Sequence, residues 1–340
     1  MSQPLIVFRT EGGPEIGLGH ICRSMTLAKE LEKQGARALF VLPVDPISLE
    51  ILGREGFQAT TVATEKDLDL AATLKCMENA AAHAAVIDAY SILDFSRVTR
   101  ATFTGVIDDL AERSLPVDLI INGGVEAGRL PYRAAEHTQL LLGPQYSLLR
   151  KEFSEEPIRQ HKAGIERVLI TLGGTDNTGL SVDIITWVLE TLPRVMVDVV
   201  IGAFFNRKTR DKICDLAKEE PNLHQHDNPP HMRELMLACD VAITGGGQTT
   251  HELAATGTPG LALRLVDNQT NNLRGLSSKG ALRWIGDSND SNLKQNLTSA
   301  LRDLAENSET RDEMSRAGRR LIDGAGTERV ARAILRACMV

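Results

Sequence analysis

The sequence lacks several things, and each shortage removes a class of protein. No apolar stretch approaches the ~20 residues that a membrane-spanning helix needs, so no stable membrane insertion is expected. The cysteines are few and odd in number (Cys22, Cys76, Cys214, Cys239 and Cys338), with no CxxC pair. That pattern argues against a disulfide framework or a zinc site and fits a reducing compartment. The histidines show no HxxxH spacing, so a protein-bound catalytic metal has no support; no cofactor is expected. Positive charge is in deficit, 38 Lys and Arg against 45 Asp and Glu, for a net charge of -7. A general basic field for nucleic acid or anionic membrane is therefore not expected, although a local basic pocket for a phosphate is compatible with this balance. The opening MSQPLIVFRTEGG lacks the basic start and long apolar core of a secretory signal. What remains is the expectation of a cytoplasmic enzyme.

What is present is an alternation. At ~100–200 residues per domain, 340 residues suit two domains. Apolar runs at 5–8, 38–42, 85–88, 105–108, 119–121 and 140–142 are separated by amphipathic stretches. Ile21, Met25, Ala28 and Leu31 recur at helical spacing, and Gly35 is placed to stop that helix. The pattern restarts near residue 166, with strands expected at 167–172, 197–201, 241–244 and 260–265. Helices are expected at 180–192, from Gln248, from Asn268, at 292–306 and at 327–339. Continuous apolar runs of this kind mark parallel strands buried on both faces. The reading is an α/β protein of two Rossmann-like doubly wound domains with an interdomain cleft. The first domain is assigned to 1–150, the polar segment KEFSEEPIRQHK (151–162) to a linker, the second domain to 163–325, and a closing helix to 326–340.

In open α/β sheets ligands bind beyond the carboxyl ends of the strands, so the strand-to-helix turns carry the information. The first turn holds Ile16-Gly17-Leu18-Gly19-His20, with Arg23 one helical turn on. Glycines there let backbone approach a ligand, and a histidine at the start of the helix can act as a general base near neutral pH. The plainer alternative is a histidine bonded to a loop carbonyl. The second is Thr244-Gly245-Gly246-Gly247-Gln248-Thr249-Thr250-His251-Glu252. Glycines between a strand and a helix expose N–H groups, which with the helix dipole suit a diphosphate. Glu252 is placed to accept from ribose hydroxyls, or simply to stabilise the dipole. The third is Asp267-Asn268-Gln269, with Asn272 close behind. Its amides suit sugar hydroxyl and acetamido groups, or Asp and Asn serve as ordinary helix caps. The fourth, Leu172-Gly173-Gly174-Thr175-Asp176, offers more N–H groups or is a plain glycine turn. Asp88, Asp108 and Asp109 end strands of the first half, where they either serve the cleft or cap the next helices.

The ordered segments FRTEGGPEIGLGHICR, VIDAYS, VIDDLAER, LLGPQYSLLRKEF, ITLGGTDNTG and ELAATGTPGLALRLVDNQ resemble the UDP-2,4-diacetamido-2,4,6-trideoxy-β-L-altropyranose hydrolases of pseudaminic-acid biosynthesis. The resemblance runs from residue 6 to about residue 275. The second half also resembles the peptidoglycan N-acetylglucosaminyltransferases, which share the GT-B fold. The resemblance implies His20 as base and Tyr90 beside the reacting centre. It implies UDP on the second domain, at Gly173, Gly174, Gly245, Gly246, Gly247, Gln248, Thr249 and Glu252, and the sugar near Gly19, Arg23, Asn268 and Gln269. The partners so implied are a UDP-sugar substrate and UDP as product, with the anomeric centre inverted by water. Three segments depart from the family pattern: Asn122-Gly123-Gly124 follows VIDDLAER where Asp-Gln-Asn is usual, Gln248 stands where a hydroxyl residue is common, and the first loop reads Thr-Glu-Gly-Gly. A GT-B glycosyltransferase and a non-catalytic nucleotide-sugar-binding protein are the alternative readings.

Overall fold

The computed structural model describes residues 3–338 apart from 15, 64, 65, 93, 94, 100, 101, 156–162 and 177. The chain divides into two compact units, Met1–Arg150 with Gly324–Val340, and Lys151–Asp323.

The first unit runs β1 (Leu5–Thr10), α1 (Gly19–Lys33), β2 (Arg37–Pro43), α2 (Pro46–Arg54), β3 (Gln58–Val62), α3 (Lys66–Asn79), β4 (Ala84–Asp88), α4 (Ser96–Thr99), β5 (Phe103–Ile107), β6 (Ser114–Leu115), β7 (Leu119–Asn122), β8 (Arg133–Ala134) and β9 (Gln139–Leu142). Its main sheet has the order β3-β2-β1-β4-β5-β7-β9, with parallel pairings. Strand side chains alternate between faces. Ile6, Phe8 and Phe40 pack with Ile21, Leu27 and Leu31 of α1, while Val7, Val41 and Ile87 enter a second core with Phe95, Val98 and Ile120. Both faces are covered, which is why these strands read as unbroken apolar runs. Each such side chain fully buried contributes about 1.5–3 kcal/mol.

The second unit runs β10 (Arg167–Thr171), α5 (Leu180–Thr191), β11 (Met196–Ile201), α6 (Arg207–Glu219), β12 (Leu223–Asp227), α7 (Met232–Ala238), β13 (Val241–Gly245), α8 (Thr249–Thr256), β14 (Gly260–Arg264), α9 (Thr270–Ser278), β15 (Arg283–Asp287), α10 (Leu293–Glu306) and α11 (Ser308–Leu321). The sheet order is β12-β11-β10-β13-β14-β15, again parallel. Val168, Ile170, Val199 and Ile243 pack with Ile184 and Val188 of α5 and Leu297 and Leu301 of α10.

The chain then returns. In α12 (Gly326–Cys338), Val330, Ala331 and Ile334 join the first unit's core. Thr327 Oγ1 donates to the Leu149 carbonyl at 2.7 Å. A Cβ at Gly326 would collide with the Ser147 backbone, so glycine sets how closely this helix approaches. The segment expected to be a linker lies largely outside the described residues, at 156–162; residues Lys151–Ser154 form a 3-10 turn. Among the described residues, no helix is long and apolar enough to cross a membrane.

Both sheets reverse their strand order beside their first strand, between β1 and β4 and between β10 and β13. Crevices at the carboxyl ends of such strand pairs are where ligands bind in open α/β sheets.

Candidate active site

At the first reversal point, β1 and β4 run side by side with Thr10 opposite Asp88. The loop leaving β1 closes on itself: Gly13 and Gly17 exchange N–H···O bonds of 3.2 and 2.7 Å. Their φ values are +141° and +81°, conformations that favour glycine. The closed loop delivers the chain to α1 with His20 as its second residue, and His20 meets the carboxylate that ends β4.

His20 is 7% exposed and Asp88 is fully buried. His20 Nδ1 lies 2.5 Å from Asp88 Oδ1. Arg23 grips the same carboxylate twice, with Nε to Oδ2 at 2.6 Å and Nη2 to Oδ1 at 2.6 Å, and Ser24 Oγ donates to Oδ2 at 3.3 Å. Burial alone pushes the Asp88 carboxyl up, but the charges and hydrogen bonds of Arg23 and His20 outweigh it and hold it well below the usual carboxylate range. Asp88 is therefore ionised and can only accept. In the neutral imidazole, a proton on Nδ1 facing this acceptor leaves the lone pair on Nε2. Among the described residues Nε2 has no partner. A buried carboxylate that fixes the tautomer and steadies the imidazolium is the arrangement a general base needs.

Two further groups complete the cluster. Arg23 Nη1 donates to Asp109 Oδ2 at 2.6 Å, and the Tyr90 hydroxyl donates to the same oxygen at 3.3 Å. The Tyr90 ring meets His20 edge to face, with centroids 4.8 Å apart. Burial, then the nearby Asp109 charge, raises the Tyr90 phenol far above its ordinary range, so it is a neutral donor. Tyr90 is placed by Glu11, whose Oε1 accepts the Tyr90 N–H at 2.7 Å and whose Oε2 accepts from Ser91 Oγ at 2.9 Å. Of the three strand-end acids, Asp108 is a turn acid: its Oδ2 accepts the N–H groups of Leu110 and Ala111. Asp88 and Asp109 instead enclose His20 and Arg23. Arg23, expected beside the sugar, has Nε, Nη1 and Nη2 all engaged with these two carboxylates.

In the second unit the two glycine turns stand at β10 and β13, neighbours in the sheet. They differ in one respect. After Gly173 and Gly174, the Asp176 carboxylate accepts the N–H groups of Gly179 and Leu180, each at 3.0 Å, and of Ser181 at 2.8 Å. The N-terminus of α5 is thus filled by the chain's own anion. The N-terminus of α8 carries no side-chain cap at Gln248. Glu252 lies in its first turn. The Thr250 and His251 N–H groups bond the Gly247 and Gln248 carbonyls at 3.1 and 2.9 Å, so what this helix start presents to an anion is chiefly its positive dipole end. The three glycines before it play different parts. A Cβ at Gly245 would lie 2.6 Å from Leu265 Cδ1, and one at Gly246 would lie 2.7 Å from Leu273 Cδ1. At Gly247 the nearest atom would be Gln269 Nε2, 3.8 Å away. Glycine at 245 and 246 is thus dictated by packing, and Gly247 is the one that opens outward. Its N–H has no partner among the described residues. Gly246→Ala is expected to destabilise the second unit by about 1–3 kcal/mol through overpacking, whereas Gly247→Ala leaves the urea midpoint near that of wild type. Equal midpoints for the two variants would contradict this division.

Asn268 is exposed in the turn before α9. Gln269 and Asn272 turn back onto the glycine loop. Gln269 Oε1 accepts the Gly246 N–H at 3.1 Å and the Leu265 N–H at 2.9 Å. Asn272 Nδ2 donates to the Gly246 carbonyl at 2.8 Å and to Thr250 Oγ1 at 2.8 Å. At the departure after VIDDLAER, Asn122 Oδ1 accepts the Gly124 N–H at 2.7 Å, and a Cβ at Gly123 would lie 2.5 Å from Ser147 Cα, so this segment is a packed turn. His224 and His226 form an HxH pair on β12, where His226 Nε2 meets Asp198 Oδ1 at 2.7 Å. Among the described residues no group of three His, Cys, Asp or Glu side chains could hold a metal.

No protein-family model matches the chain. It is 26% identical over 273 residues to the uncharacterized protein MJ1062 of Methanocaldococcus jannaschii, covering 76% of this chain and 55% of that one. It is 28% identical over 176 residues to the UDP-N-acetylglucosamine–N-acetylmuramyl-(pentapeptide) pyrophosphoryl-undecaprenol N-acetylglucosamine transferase of Salinibacter ruber, covering 50% and 46%. The matches thus take in about half the length of these two relatives. It is 22% identical over 285 residues to the UDP-2,4-diacetamido-2,4,6-trideoxy-β-L-altropyranose hydrolase of Campylobacter jejuni, covering 81% of this chain and 97% of that enzyme. Among solved structures, MurG of Acinetobacter baumannii superposes with a TM-score of 0.67 at 16% identity, covering 98% of this chain and 99% of that one. The chain has the GT-B fold.

Proposed function

We propose that this GT-B protein hydrolyses a UDP-linked diacetamido-trideoxy sugar to the free sugar and UDP. The observation that carries the reading is the His20–Asp88 pair, with Nδ1 against a buried carboxylate and Nε2 without a partner among the described residues. In the proposed step a water oxygen attacks the anomeric carbon as His20 Nε2 takes its proton. The bond from that carbon to the diphosphate oxygen breaks, and its electron pair leaves with UDP. Attack opposite the leaving group inverts the centre. The proposed diphosphate site is the start of α8, where the Gly247 N–H and the positive end of the helix dipole suit an anion. Such preorganised donors are typically worth ~2.7–4 kcal/mol each. The likeness to the Campylobacter jejuni hydrolase, over nearly the whole of that enzyme, supports water as the acceptor. Sugar transfer to an acceptor hydroxyl is the second reading, favoured by the Salinibacter ruber match; it needs the same base and the same UDP site.

The two readings separate in one measurement. Proton NMR of the protein with a UDP-diacetamido-trideoxy sugar and no acceptor is expected to show UDP and an inverted free sugar appearing together. UDP bound tightly without turnover would sink hydrolysis of the sugars tested and direct the search to acceptors.

A further inference from the structure

We infer that Gln269 and Asn272 are positioning residues of the glycine loop, holding the Gly246 peptide from both sides so that the N–H groups after it stay aimed outward for a diphosphate. The identity of that guest rests on the function proposed above; the bracing itself does not. A loop of three consecutive glycines has more conformational freedom to lose than any other sequence, and N–H groups whose direction wanders make a poor anion site. Here α9 removes that freedom. Gln269 Oε1 takes the Gly246 N–H at 3.1 Å and, with the same oxygen, the Leu265 N–H at 2.9 Å. Asn272 Nδ2 takes the Gly246 carbonyl at 2.8 Å and reaches the Gly247 carbonyl at 3.4 Å. Both polar groups of Gly246 are thus held by side chains three residues apart, one face of the segment opening α9. The amide of Asn272 is itself oriented from behind: its Oδ1 lies 2.6 Å from Nε2 of His251, a residue of α8 that is only 6% exposed. Leu273 Cδ1 and Cγ would each lie 2.7 Å from a Cβ at Gly246. A sugar contact through Gln269 Oε1 would compete with two backbone N–H groups, so this oxygen belongs to the loop.

The test uses the full chain. Uridine and UDP are titrated calorimetrically into wild type, Gln269→Ala and Asn272→Ala, and amide hydrogen exchange is followed over 245–250 in the ligand-free proteins. A brace predicts that each variant loses about tenfold or more in UDP affinity, the scale of one or two unmade hydrogen bonds, while uridine affinity is unchanged. It also predicts faster exchange confined to the loop. Gln269→Glu, which keeps the acceptor oxygens, is expected to retain the slow exchange of Gly246. A residue that only touches the sugar leaves UDP affinity and loop exchange as in wild type, and that result overturns the inference. Equal losses for uridine and UDP, or faster exchange across the whole unit, overturn it as well. If wild type binds no UDP, the diphosphate reading fails on its own, and unchanged loop exchange in both alanine variants would then dispose of the brace.

Discussion

In His20→Ala, UDP release from the nucleotide sugar is expected to fall by ~10²–10⁴-fold, the usual share of a general base, while UDP affinity is unchanged. The reasoning is local. The imidazole gives its Nδ1 to Asp88 and has only Nε2 left for chemistry, so its loss removes a proton acceptor and nothing assigned to holding the diphosphate. The assay is acceptor-free turnover at saturating substrate, with the UDP dissociation constant measured alongside and a thermal melt to confirm folding. Turnover within a few-fold of wild type would remove His20 as the base. A parallel collapse of UDP affinity would mean that it serves binding instead. Because the ring also meets Tyr90 edge to face, Tyr90→Phe is a useful companion: it keeps the ring contact and loses only the hydroxyl bond to Asp109.

Much of this was legible along the chain, and the pieces that were not share physical causes. Central strands such as β1, β4, β10 and β13 lie between two covered faces, so their burial shows as continuous apolar sequence. The edge strands are different. β3, Gln58–Val62, is exposed at four of its five positions, and β12, LHQHD, is exposed at three of five. Half-wet edge strands leave no apolar run to read, and both escaped the sequence. The turn proposed to carry the base was visible from Gly17, Gly19 and His20 because their types are unusual at the start of a helix. Asp88 was visible as an acid ending a strand, but its partner was not: the contact with His20 spans 68 positions and exists because β4 lies beside β1. The 3-2-1-4-5 strand order is the missing information, and it would have pointed to the acid. The bonds that Gln269 and Arg23 make inside the protein were hidden for the complementary reason. Amide and guanidinium groups beside a ligand turn look like ligand contacts in sequence, whereas the fold commits them to backbone and to carboxylates. Asp176 likewise follows a glycine pair, and the sequence did not show that its carboxylate accepts the N–H groups at the start of α5.

Asp88→Asn is expected to reduce turnover by as much as His20→Ala, ~10²–10⁴-fold, and to cost stability as well. The substitution preserves shape but replaces an acceptor with an amide that carries a donor. Without the carboxylate, His20 no longer needs its proton on Nδ1, and the tautomer that leaves Nε2 free loses its support. A comparable exchange in the Ser-His-Asp triad lowers kcat ~10⁴-fold by this tautomer effect. Arg23, meanwhile, keeps Asp109 but loses the anion gripped by its Nε and Nη2. Removing one partner of a buried ion pair typically costs about 3–5 kcal/mol. The pH dependence fixes the sign. The folded carboxyl of Asp88 is held below its unfolded value, chiefly because Arg23, then His20, overcome the opposing effect of burial. Its contribution is therefore complete above the unfolded carboxylate value of about 3.9 and is lost as the pH falls below that toward the lower folded value. Urea midpoints of wild type and Asp88→Asn should accordingly differ from neutral pH down to about pH 5 and converge only in stronger acid. Convergence already near neutral pH would mean that Asp88 is not the ionised anchor of the pair. A gap that persists unchanged at the acid extreme would assign the lost stability to packing instead of charge.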